Sequence, residues 1–158
     1  MSVFLSNILL AMIWMVITGS FKPVSFTAGF LFSYLILWLL RGTFYPESTY
    51  FSKVRQVIGF LLFFIKELLL ANLKVAHDVL TVRHHMRPGV IAIPLDAKTD
   101  AEITTLANLI TLTPGTLSLD ISSDRKVLYV HCMYLYNTRE FRFGIKDGFE
   151  KRVMELLR

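Results

Sequence analysis

At 158 residues, with 54% apolar side chains, thirteen phenylalanines and a mean hydropathy of +0.52, the chain is too apolar for an ordinary soluble globule. It has room for a membrane anchor plus one small domain. Seventeen basic against twelve acidic side chains leave a net charge of +5, but the basic residues are scattered without the aromatic–basic interleaving of a nucleic-acid module, so no nucleic-acid partner is expected. The single cysteine, Cys132, excludes a disulfide within the chain and sits in a strand pattern, where a lone thiol is packing.

The apolar excess is concentrated at the start. Between Ser2 and Leu40 the only charged side chain is Lys22. Val3 to Thr18 is an apolar run broken by Gly19-Ser20, and Pro23 suits the first turn of a second run ending at Leu40. Each run holds about 16 to 17 residues, at the short edge of the ~17–25 that cross a bilayer. Flanking residues extend them to spans of about 3–19 and 22–40, and the short connection makes a hairpin occupying residues 1–41. A cleaved signal peptide is the rival reading of the first run. It lacks a basic residue before the apolar core, and Gly19-Ser20-Phe21-Lys22 is a poor cleavage site.

Residues 42–87 form a connector and a long amphipathic helix. In the connector Tyr45, Tyr50 and Phe51 suit a belt at headgroup level. On a helix from Val54 to Arg83, Arg55, Lys66 and His77 recur every eleven residues and share one stripe, with Gln56, Glu67 and Asp78 beside them and Lys74 joining. The remaining faces carry Val57, Ile58, Leu61, Leu62, Ile65, Leu68, Leu69, Val75 and Val79. Two placements stand open: a helix lying on the membrane surface, or a third span over 56–73 with Lys66 and Glu67 buried in protein. The stripe continues through His77 and Asp78, past a membrane edge, which favours the surface placement. Arg83-His84-His85-Met86-Arg87 is the densest basic cluster and reads as a positive-inside segment near anionic lipid. Arg55, Lys66, Glu67, Lys74, His77, Asp78, Arg83 and Arg87 are therefore the candidate interface or lipid-facing residues.

Residues 88–158 read as a cytoplasmic β-α-β-β-α domain, which makes the whole a membrane-anchored α+β chain. Val90 to Ile93 is a short strand. Thr99 opens a helix as N-cap, with Glu102 three residues later at capping-box spacing, and Ile103, Leu106, Ala107 and Ile110 mark its apolar face. Pro114-Gly115 stops it. Leu117, Leu119 and Ile121 then alternate with Thr116, Ser118 and Asp120 as a half-buried strand; a turn at Ser122–Arg125 leads to a second strand, Val127 to Met133. A terminal helix over 137–158 buries Phe141, Phe149, Val153, Leu156 and Leu157, with Glu150 on its solvated side; Gly144 and Gly148 delay its expected start to near Ile145.

No phosphate-binding glycine loop, paired-cysteine motif, zinc-protease motif or nucleophile elbow occurs. His84 and His85 point apart on a helix, His131 sits within a strand, and Asp96, Asp100 and Glu102 suit a helix N-terminus. No catalytic, cofactor or metal residues are assigned. The hairpin offers no ionisable pair able to pass a proton, only Ser6, Asn7, Thr18, Ser25, Thr27 and Ser33.

The runs PGVIAIPLD, TDAEITTLANLITLTPGTLSLD and LYVHCMY closely resemble the E subunit of the multisubunit Mrp-type cation/proton antiporters, and the likeness extends over nearly the whole chain. The resemblance implies a non-catalytic accessory subunit of a Na⁺(K⁺)/H⁺ antiporter, partnered by other subunits, in the bacterial cytoplasmic membrane as a multi-pass protein with its C-terminal domain in the cytoplasm. It transfers no ion ligands. Thr111, Thr113, Pro114 and Gly115 are the expected docking loop, against a plain helix stop and strand entry. The alternatives are a stand-alone anchored ligand-binding or enzymatic domain, and a peripheral lipid-binding module.

Overall fold

A computed structural model describes residues 2–45, 48–81 and 86–158. The chain divides into two compact units, Met1–Arg55 and Gln56–Arg158.

In the first unit, α1 (Val3–Thr18) is capped by the Ser2 hydroxyl, which accepts from the Leu5 amide at 3.4 Å. It ends at Gly19, whose φ of +64° is left-handed backbone that favours glycine. α2 (Pro23–Leu39) begins on its proline and returns alongside α1. The helices approach closely at Gly29, where an added Cβ would lie 2.8–2.9 Å from three Trp14 side-chain atoms. A single turn, α3 (Arg41–Phe44), follows, with the Arg41 guanidinium 5.1 Å from the Trp38 ring centroid. The aromatic connector packs on the hairpin. Phe51 is buried with Val3 and Leu37, and Tyr45 and Tyr50 pack around them, because aromatic area gains more from helix packing than from exposure. Tyr34 touches both Tyr50 and Phe51, with ring centroids 5.9 and 5.4 Å away.

α4 (Tyr50–Leu80) is a continuous helix of 31 residues, about 46 Å at 1.5 Å per residue. Among the described residues it is the one helix long and apolar enough to cross a membrane, by length and composition; α1 and α2 are shorter apolar helices.

The second unit holds a three-stranded antiparallel sheet in the order β1-β3-β2, from β1 (Gly89–Pro94), β2 (Thr116–Ile121) and β3 (Val127–Cys132). Between β1 and β2 lies α5 (Asp100–Leu112), and after β3 come α6 (Thr138–Phe143), a π-helical stretch (Gly144–Glu150) and α7 (Lys151–Leu157). The core joins Ile91, Ile93, Leu128 and Val130 of the sheet to Leu106, Leu109 and Ile110 of α5 and to Ile145, Phe149 and Val153. Phe60, Phe63 and Phe64 of α4 pack against that core.

The capping box at Thr99 forms as its spacing dictates: the Glu102 amide donates to Thr99 Oγ1 at 3.2 Å, and Glu102 Oε2 accepts from the Thr99 amide at 3.2 Å. Three expectations are corrected. In β2 the leucines face outward, with Leu117 and Leu119 about half exposed. Thr116 and Ser118 face α5 instead, because their hydroxyls donate to the Ile110 and Ala107 carbonyls near the helix end. The terminal helix starts at Thr138 rather than near Ile145, since Asn137 Oδ1 accepts from the Arg139 and Glu140 amides at 3.0 and 3.4 Å. Glu150 is buried rather than solvated. The wider turns of the π stretch bring Ile145, Phe149 and Val153, spaced by four, into the core and rotate Glu150 inward with them.

Candidate functional site

Sequence periodicity places residues 60, 63, 64, 67, 71, 74 and 78 along one side of α4. That side faces the α+β part. Between them lies a cavity of about 550 Å³, lined from α4 by Phe63, Glu67, Leu70, Ala71 and Lys74. Thr113, Pro114, Gly115 and Thr116 close another wall, Cys132 and Tyr134 a third, and Phe141 to Phe149 the last. The close fit at one edge depends on Gly148, where an added Cβ would meet the Phe63 ring at 3.3 Å. The Phe63 ring also stacks edge-on with Phe149 at 5.2 Å and carries the Arg152 guanidinium 4.1 Å above it.

The wall from α5 to β2 is shaped by backbone needs. Gly115 has a φ of +88°, and Thr113 Oγ1 donates to the Leu109 carbonyl at 3.0 Å. Thr111 is exposed, and its hydroxyl accepts from the Ser118 amide at 3.1 Å. The loop's hydroxyls are thus engaged in stopping the helix and starting the strand.

The structure brings Glu67, Lys74, Thr113, Pro114 and Gly115 to one cavity. Asp78 is buried beside Tyr134, whose phenol is raised above its ordinary value by burial and further by the Asp78 carboxylate. Burial likewise raises the Cys132 thiol, which is free and inert as packing. Lys66 and His77 are exposed and line no part of the cavity, and Arg55 is exposed at the end of the first unit. Arg87 joins the sheet edge by backbone bonds to Met133 and Leu135, its guanidinium 5.4 Å from the Tyr136 ring centroid. Arg83, His84 and His85 lie outside the described residues.

The carboxylates elsewhere hold the fold. Glu102 Oε1 accepts from Arg158 Nε at 2.8 Å; that bond, with those from the Lys98 and Thr99 amides, lowers its pKa to about 2. Glu150 Oε1 accepts from the Asp96 and Ala97 amides, and Lys146 Nζ lies 3.1 Å from Oε2 and 2.8 Å from Asp96 Oδ2. Burial pulls the Lys146 pKa down, but the bonds to Asp96 and Glu150 more than offset it, and the net shift is upward. Among the described residues no group of three or more His, Cys, Asp or Glu side chains could hold a metal ion. The cavity is mostly apolar, with Glu67, Lys74 and Asp147 among its lining residues, a surface that suits packing or docking.

Sequence reading missed Tyr134, Phe63 and the π stretch as cavity walls. The signal for the last was Gly148, where the Phe63 ring approaches closely; the space beside Gly144 is open.

Comparison with known proteins adds a consistent set of likenesses. The profile of a family described as Na+/H+ ion antiporter subunit matches residues 7–156. The Na(+)/H(+) antiporter E subunit of Bacillus subtilis is 40% identical over 154 residues, covering 98% of this chain and 97% of that protein. The corresponding E subunit of Alkalihalophilus pseudofirmus is 38% identical over 152 residues, covering 96% of each. Among solved structures, a chain of the Mrp complex from a Dietzia species matches with a TM-score of 0.50 at 28% identity, over 65% of this chain and 96% of that one. A chain of the membrane-bound sulfane sulfur reductase, an archaeal respiratory membrane complex, matches with a TM-score of 0.54 at 27% identity, over 99% of both.

Proposed function

Since the chain belongs to the family of Na⁺/H⁺ antiporter E subunits, we propose that it is a non-catalytic accessory subunit that helps the other subunits of an Mrp-type complex assemble and stay together. The observation that carries this is the chemistry of the hairpin. From α1 through α2 the only charged side chain is Lys22, at the N-cap of α2. The buried polar side chains there are Ser6, Asn7 and Ser33. Asn7 Nδ2 donates to the Tyr50 hydroxyl at 3.1 Å, and the Ser6 and Tyr45 hydroxyls lie 3.5 Å apart. These groups fasten the connector to the helices. A path for Na⁺ or protons needs carboxylates, lysines or histidines within the membrane, and this hairpin supplies none.

The two solved likenesses support the reading. One is a chain of an Mrp complex and the other a chain of a sulfane sulfur reductase. A fold shared by complexes whose names differ in chemistry suits a part that holds others in place. In this reading α1 and α2 cross the bacterial cytoplasmic membrane and the α+β part lies on the cytoplasmic side. The outer face of the sheet, with Val90, Leu117, Leu119 and Tyr129 exposed, then docks on a neighbouring subunit. The loop over 111–115 borders that face through β2 and joins the contact at Thr111.

The test is reconstitution of the full chain alone in lipid vesicles. No exchange of Na⁺ or K⁺ for protons is expected above that of empty vesicles, whereas the assembled complex exchanges. Exchange by the chain alone refutes the reading.

A further inference from the structure

The structure sorts the charges of α4 in a way the sequence does not. Its acidic residues turn inward: Asp78 is buried and Glu67 half-buried against the α+β part. Of its basic residues, Arg55 and Lys66 are exposed away from that part, Lys74 is exposed at the cavity rim and Lys53 is half-buried. On the side opposite the packed residues Phe60, Phe64, Ala71 and Asp78, at about 100° per residue, lie Ile58, Leu62, Ile65, Leu69 and Leu73. All five are exposed, Leu62, Leu69 and Leu73 at 64%, 58% and 66%. Arg55 and Lys66 run along one border of this face, eleven residues apart.

We propose that this apolar face of α4 rests on an anionic lipid leaflet, so that the helix lies in the plane of the membrane and anchors the α+β part against its surface. The inference rests on the reading of the chain as a membrane subunit and adds a partner, phospholipid of negative charge. Three observations select lipid as the occupant. The packed side of α4, from Phe60 to Asp78, is covered by a domain carrying the ion pairs of Asp96, Asp100 and Glu102, and such a surface does not enter hydrocarbon. The side away from that domain is open and apolar, its exposed surface continuing through Leu61 and Leu70 on the flanks. A helix with a water-facing domain on one side and apolar surface on the other sits at an interface. The exposed charge of α4 is basic, the sign that anionic headgroups attract. Although α4 is long and apolar enough to span, its two sides differ too much for hydrocarbon to surround it.

The experiment uses the full chain with Cys132 replaced by alanine and spin labels on Leu62→Cys, Leu69→Cys or Leu73→Cys, in bilayers with and without anionic lipid. The accessibilities to oxygen and to a polar nickel reagent report depth. The expected result is one shallow depth for all three labels, with ratios agreeing within about twofold, as a helix parallel to the surface requires. In neutral bilayers, and in the Arg55→Gln, Lys66→Gln double variant, nickel accessibility rises severalfold, since each basic residue contributes about a fivefold preference for an anionic surface. A depth that passes progressively through the bilayer centre overturns the proposal in favour of a span. Labels shielded from both reagents in the purified complex, but not in the chain alone, overturn it in favour of a neighbouring subunit. Labels immersed equally in all bilayers overturn the anionic assignment. Co-purification of each labelled chain with the other subunits is scored alongside. Lost co-purification of the unlabelled parent counts against the subunit reading, whereas an unexpected depth with co-purification intact counts against the lipid assignment alone.

Discussion

Glu150 joins the terminal helix to the segment between β1 and α5, and its removal is predicted to be the costliest single change in the α+β part. The side chain is 1% exposed, and its Oε1 accepts two backbone amides, Asp96 and Ala97, the latter at 2.9 Å. Glu150→Ala leaves both donors without their acceptor, at about 1–3 kcal/mol each, and leaves Lys146 held only by the Asp96 carboxylate and the Pro94 carbonyl. The expected loss is about 3–5 kcal/mol. Glu150→Gln keeps an oxygen for the amides and gives up only the charge facing Lys146, itself partly exposed, so about 1–2 kcal/mol is expected. Unfolding of the purified full chain in detergent, followed by hydrogen exchange at residues 96 and 97, distinguishes the two. Both amides should exchange far faster in the alanine variant and nearly as slowly as in the parent in the glutamine variant. Equal, small losses for both variants with unchanged exchange at those amides would refute the reasoning.

Glu102 makes stability depend on pH at the acid end. Its folded pKa of about 2 lies below the ordinary 4.5, so the ionised carboxylate stabilises the fold above about 4.5, and that contribution is lost as pH falls toward 2. Arg158→Ala should raise the Glu102 pKa toward its ordinary value, read by NMR titration of the carboxyl. Gly29→Ala should cost about 1–3 kcal/mol by forcing Trp14 away from α2, seen as a lower melting temperature in detergent. Gly115→Ala, at a φ of +88°, should cost about 1–2 kcal/mol in the same assay. Leu117→Glu with Leu119→Glu should leave the melting temperature within a few degrees of the parent but reduce co-purification with the other subunits severalfold.

What the sequence disclosed was local. The Thr99–Glu102 capping box, the Pro114-Gly115 stop and the Ser122–Arg125 turn each depend on neighbours within a few residues, and each could be read directly. What it hid depended on distant partners. Alternation in β2 defines two faces but not which one is inward; that was decided by α5 carbonyls needing the hydroxyls of Thr116 and Ser118. A helical wheel at 3.6 residues per turn misplaces Glu150 because the π stretch changes the period within the helix. In α4 the stripes were legible, but the inward turn of Glu67 and Asp78 was not, since nothing in the period says which stripe meets the domain. Tyr134 carried no signal of its own: a tyrosine after a strand gains its place in the cavity wall only once α4 lies across it.

The claim that this subunit holds its neighbours together is tested most directly by deleting the chain and separating the remaining subunits on a native gel. Loss of the assembled complex is predicted, with any residual complex exchanging ions at an undiminished rate per particle. A fully assembled complex that no longer exchanges Na⁺ for protons would contradict it and place this chain in the ion path.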